Sequence, residues 1–193
     1  MLGLTEYVYN LTMSTFYTRK GDAGKTGLLG EGRLPKYHPR IEAIGTLDET
    51  TATLGLARAL SHSPEVSEIL VQTQRDLYNL MAEVAATPEN AAKFRSIDAA
   101  RINWLEEQTD ALNEKVEMPK DFILPGETKG GGALSVARTV TRRAERRVAE
   151  LLDAGELENK ELLRYLNRLS SLCFVLELAE NQFAGKETKK MKK

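Results

Sequence analysis

Apolar residues recur at three- and four-residue intervals through five segments of the chain, the spacing that lines one face of an α-helix. The first predicted helix lies between Pro39 and Ser61, and the second runs from about residue 64 to residue 86. A third follows Ser96 as N-cap and ends before Pro119. The fourth and fifth run from about 131 to 152 and from about 158 to 183.

The connections between these segments are short, and proline or glycine interrupts most of them. Residues 122–126 form a short apolar strand or extended turn, because Pro125 and Gly126 cannot continue a helix. The pattern predicts an all-α fold, a five-helix up-and-down bundle with a glycine-rich N-terminal loop. We expect residues 15–185 to form this single domain, residues 1–14 a flexible extension, and residues 186–193 a frayed basic tail.

Composition narrows the range of partners. The chain of 193 residues has 27 basic and 28 acidic side chains, so no net field attracts nucleic acid or an anionic membrane. No apolar stretch approaches the roughly 20 residues of a membrane span. The single cysteine, Cys173, lies between Leu172 and Phe174 and is predicted to be a core residue in a reducing compartment. We therefore expect a cytoplasmic protein.

The loop at residues 17–27 concentrates glycine, hydroxyl and cationic residues, the composition of loops that bind phosphate. Gly24, Lys25 and Thr26 match the end of a P-loop, but Arg19 stands where that motif requires glycine. The P-loop interpretation therefore fails. A polar surface turn remains an alternative, although the density of hydroxyls and cations favours phosphate binding.

The predicted fourth helix carries a stripe of three arginines. Arg138, Arg142 and Arg146 are each four residues apart and so share one face. Like charges at this spacing repel, which indicates compensation by carboxylates, phosphates or both. Arg143 and Arg147 form a neighbouring stripe that we expect to be solvated. A solvated face or a nucleic-acid-binding helix are the alternatives for the main stripe, and near-neutral charge disfavours the second.

Candidate counter-charges and polar partners lie on three of the predicted helices. Because a bundle builds its sites from facing helices, these segments can converge on the arginines. The candidates are Asp48 and Glu49 on the first helix, Glu145 on the fourth, and Asn167 on the fifth.

Five blocks of sequence together resemble the PduO-type ATP:cob(I)alamin adenosyltransferase family, in matching order over most of residues 15–183. Their order makes the resemblance far more specific than any single block. The blocks are residues 17–24 (YTRKGDAG), 40–49 (RIEAIGTLDE), 122–126 (FILPG), 137–148 and 165–170 (YLNRLS).

The resemblance implies transfer of the 5′-deoxyadenosyl group of ATP to cob(I)alamin or a related reduced corrinoid, with release of triphosphate. It implies a homotrimer with ATP and corrinoid at the subunit interfaces, and by analogy a flavoprotein reductase as a further partner. The residues implied around ATP and its Mg²⁺ are Thr18, Arg19, Lys20, Gly21, Thr26, Lys36, Arg142, Glu145, Arg146 and Asn167.

By the same resemblance Asp48, Phe122, Arg138 and Arg142 are the catalytic residues. Asp48 and Arg138 would pair across the interface and close the corrinoid side. Phe122 would lie at the lower face of the cobalt, where an apolar ring excludes a fifth ligand. No protein ligand for a resident metal is implied.

Two departures from the family pattern lie near this expected site, Glu127 in place of glycine and Ser171 in place of aspartate, and Thr50-Thr51 also replaces Leu-Asn. Glu127 and Ser171 leave a noncatalytic ATP-binding bundle, a sensor or chaperone, as the alternative function. A ferritin-like metal bundle would need Glu-x-x-His pairs, and neither His38 nor His62 follows a glutamate at that spacing.

Overall fold

The computed structural model describes Tyr17 and residues 19–191. The predicted extension over residues 1–14 lies outside this part of the chain. The secondary-structure elements are β1 (Lys25–Gly27), β2 (Arg33–Pro35), α1 (Pro39–Leu60), α2 (Pro64–Ala85), α3 (Pro88–Phe94), α4 (Ala99–Asn113), α5 (Lys129–Asp153) and α6 (Glu161–Phe183).

The fold is mostly helical, but the predicted count of five helices and the purely helical class are corrected. The five long helices overlap the predicted ones, and the described residues add the seven-residue α3 and a two-stranded sheet. Pro88 begins α3 at its first turn, where a proline N–H is not needed. Asp98, not Ser96, caps α4 and accepts from Arg101 N at 3.0 Å.

The small sheet is an antiparallel hairpin that holds the N-terminal loop against the helices. Thr26 of β1 lies opposite Leu34 of β2. The connecting segment docks on the end of α2, where Leu29 N donates to Ala85 O at 2.8 Å and Thr87 N donates to Leu29 O at 3.2 Å. This edge contact fixes the hairpin relative to α2.

The long helices pack around one core of aliphatic side chains, in which α5 lies between α1 and α6. Leu47 of α1, Leu134 of α5 and Leu166 of α6 are fully buried there, each worth roughly 1.5–3 kcal/mol. Cys173 is also buried in this core, as predicted, and burial raises the pKa of its thiol to about 12. None of the helices in the described ranges is long and apolar enough to cross a membrane.

A buried polar network ties α2, α4 and α6 together. Asp76 accepts from the Tyr165 hydroxyl at 2.9 Å, from Arg101 at 2.6 Å and from Gln72 at 3.0 Å. Burial, and next the charge of Asp76, raises the pKa of Tyr165 well above its ordinary value. Tyr165 is therefore a neutral donor that fixes α6 in register with α2.

Backbone hydrogen bonds join residues 189–191, at the end of the predicted basic tail, to the segment that follows α4. Leu124 N donates to Lys189 O at 2.8 Å, and Met191 N donates to Phe122 O at 2.7 Å. Glu127 forms an ion pair with Lys189 at 3.1 Å. The predicted extended segment at 122–126 thus has a backbone partner that periodicity in the sequence does not reveal.

Glu180 holds the α1–α2 connection against the end of α6. Its fully buried carboxylate accepts from the Ser61 hydroxyl and from the backbone N–H of His62 at 3.1 Å. Ser63, the N-cap of α2, also directs its N–H at this carboxylate at 3.4 Å. One side chain therefore accepts hydrogen bonds from three consecutive residues of this connection.

We predict that Glu180→Ala lowers the free energy of unfolding by about 3 kcal/mol, because it removes the acceptor of these hydrogen bonds and leaves a cavity. Urea denaturation followed by circular dichroism measures the change. Glu107→Ala, at an exposed position of α4, is the matched control and should shift stability by less than about 0.5 kcal/mol. Equal stability of the two variants would contradict the role assigned to Glu180.

Candidate functional site

The glycine-containing loop before β1 folds into consecutive turns. Asp22 N donates to Arg19 O at 3.2 Å, and Gly24 N donates to Gly21 O at 3.1 Å. Arg19 adopts a positive φ of 58°, an uncommon conformation for a residue with a side chain. Thr18, the first residue assigned to this site, lies outside the described residues.

The hairpin brings Lys36 back onto this loop. Lys36 N donates to Gly24 O at 2.9 Å, and a Cβ added to Gly21 would lie 3.2 Å from Lys36 Nζ. Arg33 clamps the loop from the other strand by donating to the Lys20 and Lys25 carbonyls, each at 2.7 Å. The absence of a side chain at Gly21 therefore gives the Lys36 ammonium its place beside the loop.

The arginine stripe of α5 has two environments. Arg142 and Arg146 are exposed, and Arg146 donates to Arg142 O at 2.9 Å. The neighbouring arginines are not purely solvated, which corrects the prediction: Arg143 forms an ion pair with Glu49, and Arg147 lies 3.8 Å from Glu42. Carboxylates of α1 thus compensate the second stripe and leave Arg142 and Arg146 available for an external anion.

Glu145 and Asn167 meet between α5 and α6, next to these two arginines in sequence. Asn167 Nδ2 donates to Glu145 Oε1 at 2.8 Å, and its own oxygen accepts from Arg168 at 2.8 Å. The hydrogen bonds fix the orientation of both side chains. The predicted convergence of these two residues is therefore present in the structure.

A cleft of about 1160 Å³ opens beside the stripe, between α4, α5, α6 and the segment that follows α4. Phe122 lines it and is 86% exposed, an unusual position for a phenylalanine in the absence of a ligand or partner. The other lining residues used below are Asp110, Ser135, Arg138, Arg142, Ser171, Phe174 and Glu177.

Two polar atoms of the residues that line this cleft are buried and unpaired within the described part of the chain: Arg138 Nε and Glu177 Oε1. Burial raises the pKa of Glu177 to about 6, while a hydrogen bond from Ser135 and the positive charge of Arg138 oppose the rise. Such atoms are rare in folded proteins because each costs free energy. The cleft therefore carries polar groups without their full set of partners.

The structure divides the predicted site residues into two groups. Phe122, Arg138 and Arg142 line one cleft, and Arg146, Glu145 and Asn167 lie along the same helices. Lys36 lines a separate depression of about 590 Å³ next to the hairpin. No described residue before α1 lines the larger cleft.

Asp48 belongs to neither group. It is exposed on α1 and, among the described residues, makes no hydrogen bond or ion pair within its own chain. Its predicted partner Arg138 also has an unpaired Nε. One chain therefore does not bring the two together.

Comparison with known proteins identifies the family of this chain. A family model described as cobalamin adenosyltransferase matches residues 16–180. The chain belongs to the cobalamin adenosyltransferase family. It is 39% identical over 173 residues to a corrinoid adenosyltransferase of Bacillus subtilis, with 88% of each chain covered.

Another relative in this family is the corrinoid adenosyltransferase PduO of Citrobacter freundii, 40% identical over 169 residues. These residues are 87% of this chain but only 50% of that protein, so the chain spans about half the length of this relative.

Among solved structures, two variants of the PduO-type enzyme from Lactobacillus reuteri are similar to this chain at 32% identity. The first, complexed with cobalamin and ATP, has a TM-score of 0.85 and covers 93% of this chain and 100% of its own. The second, complexed with ATP, has a TM-score of 0.83 and covers 91% and 99%.

Ser135, Phe174 and Glu177 line the cleft but were not predicted from the sequence. Glu177 carried a usable signal, because it is an acidic residue between Leu176 and Leu178 in an otherwise apolar stretch of α6. Ser135 and Phe174 carried none, since small and aromatic residues at helical spacing are typical of a core.

We predict that Glu177→Gln stabilises the free protein by about 2 kcal/mol at pH 7. The pKa of Glu177 is about 6 in the folded protein and 4.5 ordinarily, so folding favours the protonated side chain. The resulting stabilisation is fully present below pH 4.5 and is lost as the pH rises through 6. The amide avoids that loss, and its advantage should therefore vanish below about pH 4.5. Thermal unfolding at pH 4 to 8 measures it, and an advantage independent of pH would contradict the account.

Proposed function

We propose that this protein transfers the 5′-deoxyadenosyl group of ATP to cob(I)alamin or a related reduced corrinoid and releases triphosphate. The observation that carries the proposal is the cleft in which Phe122, Arg138 and Arg142 meet, beside the Glu145–Asn167 pair. The family supplies the reaction class. The geometry supplies an apolar cavity next to a cationic stripe, which suits a macrocycle beside a polyphosphate.

In this proposal the triphosphate of ATP lies against Arg142 and Arg146, whose charges are not neutralised by α1. Guanidinium groups bind phosphate oxygens through paired hydrogen bonds. The N-terminal loop adds cations and backbone donors; its assigned residues are Thr18, Arg19, Lys20, Gly21, Thr26 and Lys36. The hydrogen bond of Asn167 to Glu145 keeps the glutamate carboxylate pointed at the same region.

Mg²⁺ accompanies ATP in this proposal, and the residues present fit it. Mg²⁺ is usually held by one or two carboxylates together with substrate phosphates. Only one oxygen of Glu145 is occupied by Asn167, which leaves the other available to the ion. When bound, the ion would neutralise charge on the departing triphosphate.

The corrinoid would occupy the larger cleft, with Phe122 at the lower face of the cobalt. An exposed aromatic ring there replaces water as the neighbour of the metal and so disfavours a fifth ligand. A four-coordinate cobalt is easier to reduce to the nucleophilic cob(I) state. Phe122 and the cleft would therefore prepare the acceptor, while the arginines hold the donor.

The transfer step needs no protein nucleophile. The electron pair of cob(I) forms a bond to C5′ of ATP, and the C5′–oxygen bond breaks with its electron pair leaving on triphosphate. The cobalt is alkylated by the adenosyl carbon and is thereby oxidised formally from +1 to +3. The protein contributes alignment and electrostatic stabilisation of the leaving group.

We further propose a homotrimer in which each site lies between two subunits. The division of the predicted ATP residues between the N-terminal loop and the α5–α6 face supports this, since an adjacent copy can supply the missing half. Asp48, which makes no hydrogen bond or ion pair within the described residues, would then pair across the interface with Arg138, whose Nε has no hydrogen-bond partner there.

The wider setting of the proposed enzyme follows the same family analogy. We propose that residues 15–185 act as a single adenosyltransferase domain, that the protein works in the cytoplasm, and that a flavoprotein reductase supplies the cob(I) state. Neither nucleic acid nor a membrane is a proposed partner.

The rival proposal is a noncatalytic ATP-binding bundle that senses nucleotide or acts as a chaperone. Its support was the pair of departures at Glu127 and Ser171. Glu127 forms an ion pair with the tail residue Lys189, so it has a structural role in this chain. Ser171 lines the cleft and leaves room where an aspartate would project a charge.

We predict that Arg142→Ala lowers kcat/KM for ATP by about 100-fold or more, since a cation facing the leaving triphosphate is lost. The assay is anaerobic adenosylcobalamin formation from chemically reduced cob(I)alamin and MgATP, followed by absorbance. Arg143→Ala, which loses the ion pair to Glu49, is the control and should retain activity within about threefold. A wild type that binds ATP yet leaves cob(I)alamin unmodified would support the noncatalytic rival instead.

We predict that Asp48→Asn raises the KM for the corrinoid by about 10-fold and leaves ATP affinity unchanged, because it weakens the proposed interface pair with Arg138. The double variant Asp48→Arg with Arg138→Asp exchanges the two charges. It should recover part of the corrinoid affinity that either single charge reversal loses. Additive losses in the double variant would contradict direct pairing.

A further inference from the structure

Glu177 is a charged residue of the cleft that the proposed reaction leaves without a role. It lies on α6, is 1% exposed, and its Oε1 has no hydrogen-bond partner in the described part of the chain. Its carboxylate interacts with the Ser135 hydroxyl and the Arg138 guanidinium on α5, and the Cys173 thiol lies one turn before it on α6. A buried carboxylate with a free acceptor atom is therefore built into the wall of an open cavity.

This arrangement is unfavourable in the free protein. A buried carboxylate loses hydration, and the attraction to Arg138 and the hydrogen bond from Ser135 do not restore it fully, since the pKa remains raised. A ligand that brings a hydrogen-bond donor to Oε1 would compensate for the lost hydration. The carboxylate therefore favours a ligand with neutral N–H donors at its edge.

The corrin macrocycle carries such donors. Its peripheral side chains end in carboxamides, whose N–H groups donate, whereas the same side chains as free acids present only acceptors and negative charge at neutral pH. Beside the Glu177 carboxylate an amide would gain a charge-assisted hydrogen bond, and a carboxylate would be repelled. The Glu177 carboxylate would thus distinguish amidated corrinoids from corrinoids with free carboxylates.

We propose that Glu177 is a specificity-determining residue that accepts a hydrogen bond from a peripheral carboxamide of the corrinoid and selects amidated corrinoids over those with free carboxylates. This inference rests on the proposed function, because it requires a corrinoid in the cleft. It adds the chemical form of the corrinoid substrate and the atom, Glu177 Oε1, that recognises it.

The test compares two corrinoid probes, cobinamide with carboxamide side chains and cobyrinic acid with carboxylates, both in the cob(II) state with MgATP. Binding is followed by absorbance for the wild type, Glu177→Gln and Glu107→Gln. Glu107→Gln is the charge-matched control, since it removes a carboxylate at an exposed position of α4 that does not line the cleft. Glu177→Gln keeps the side-chain shape and is expected to fold.

We expect Glu177→Gln to bind cobinamide about 5- to 10-fold more weakly and cobyrinic acid more tightly, so that the preference for amides collapses. Glu107→Gln should change cobinamide binding by less than about twofold. Unchanged binding of cobinamide by Glu177→Gln would overturn the proposal. Equal weakening of both probes would also overturn it, because Glu177 would then act only through Arg138.

A pH series gives an independent readout. Protonation of Glu177 removes the ionised acceptor, so wild-type affinity for cobinamide should fall below about pH 6, while Glu177→Gln shows no such step. The charged groups facing the cleft are Arg138 and Arg142 of α5, Asp110 of α4, and Lys120 and Asp121 of the following segment. A step of equal size in both proteins would assign it to one of the other acids and contradict the role of Glu177.

Cob(I)alamin turnover by the wild type separates this inference from the proposed function. Active wild type with unaltered selectivity in Glu177→Gln would refute the inference alone. Wild type that binds neither probe and forms no cobalt–carbon bond would refute both.

Discussion

The close approach of α5 to α1 and α6 is the constraint on which the arrangement depends. At the start of α5 a Cβ on Gly130 would lie 3.1 Å from Leu60 O, and one on Gly131 would lie 2.6 Å from Asn181 Oδ1. Only glycine allows this packing without a shift of the Leu60 carbonyl or of the Glu180 and Asn181 side chains. Because the first turn is fixed there, the helical repeat directs Arg138 and Arg142 into the cleft, while Arg143 and Arg147 face the carboxylates of α1.

That geometry separates cations with structural partners from cations without them. Arg143 and Arg147 are neutralised by Glu49 and Glu42, whereas Arg142 and Arg146 remain exposed beside a mostly apolar cavity. The buried, incompletely paired groups on Arg138 and Glu177 belong to the same region. In the proposed function these features hold the two substrates, and the hairpin that places Lys36 beside Gly21 completes the polyphosphate site from a neighbouring copy.

Much of this fold could be predicted from the sequence, because the long helices have strong apolar periodicity. The short α3 and the hairpin could not, since seven and three residues are too few to show a period. The pairing of residues 189–191 with the Phe122 segment is a contact between backbone groups, which side-chain identity does not encode. Of the site, bundle packing predicted that the segments of Glu145 and Asn167 can converge, whereas the unpaired Glu177 became apparent only from burial in three dimensions.

The central claim, a site assembled from two chains, is tested most directly by subunit complementation. Lys36→Ala impairs the loop half and Arg142→Ala the helix half, and the two variants are co-expressed with different tags and purified as mixed oligomers. If each site takes one half from each of two chains, one of the three sites in every mixed trimer is intact, so the mixed oligomers should show about a third of wild-type adenosyltransferase activity. Mixed oligomers no more active than the separate variants would contradict the account and place both halves of the site in a single chain.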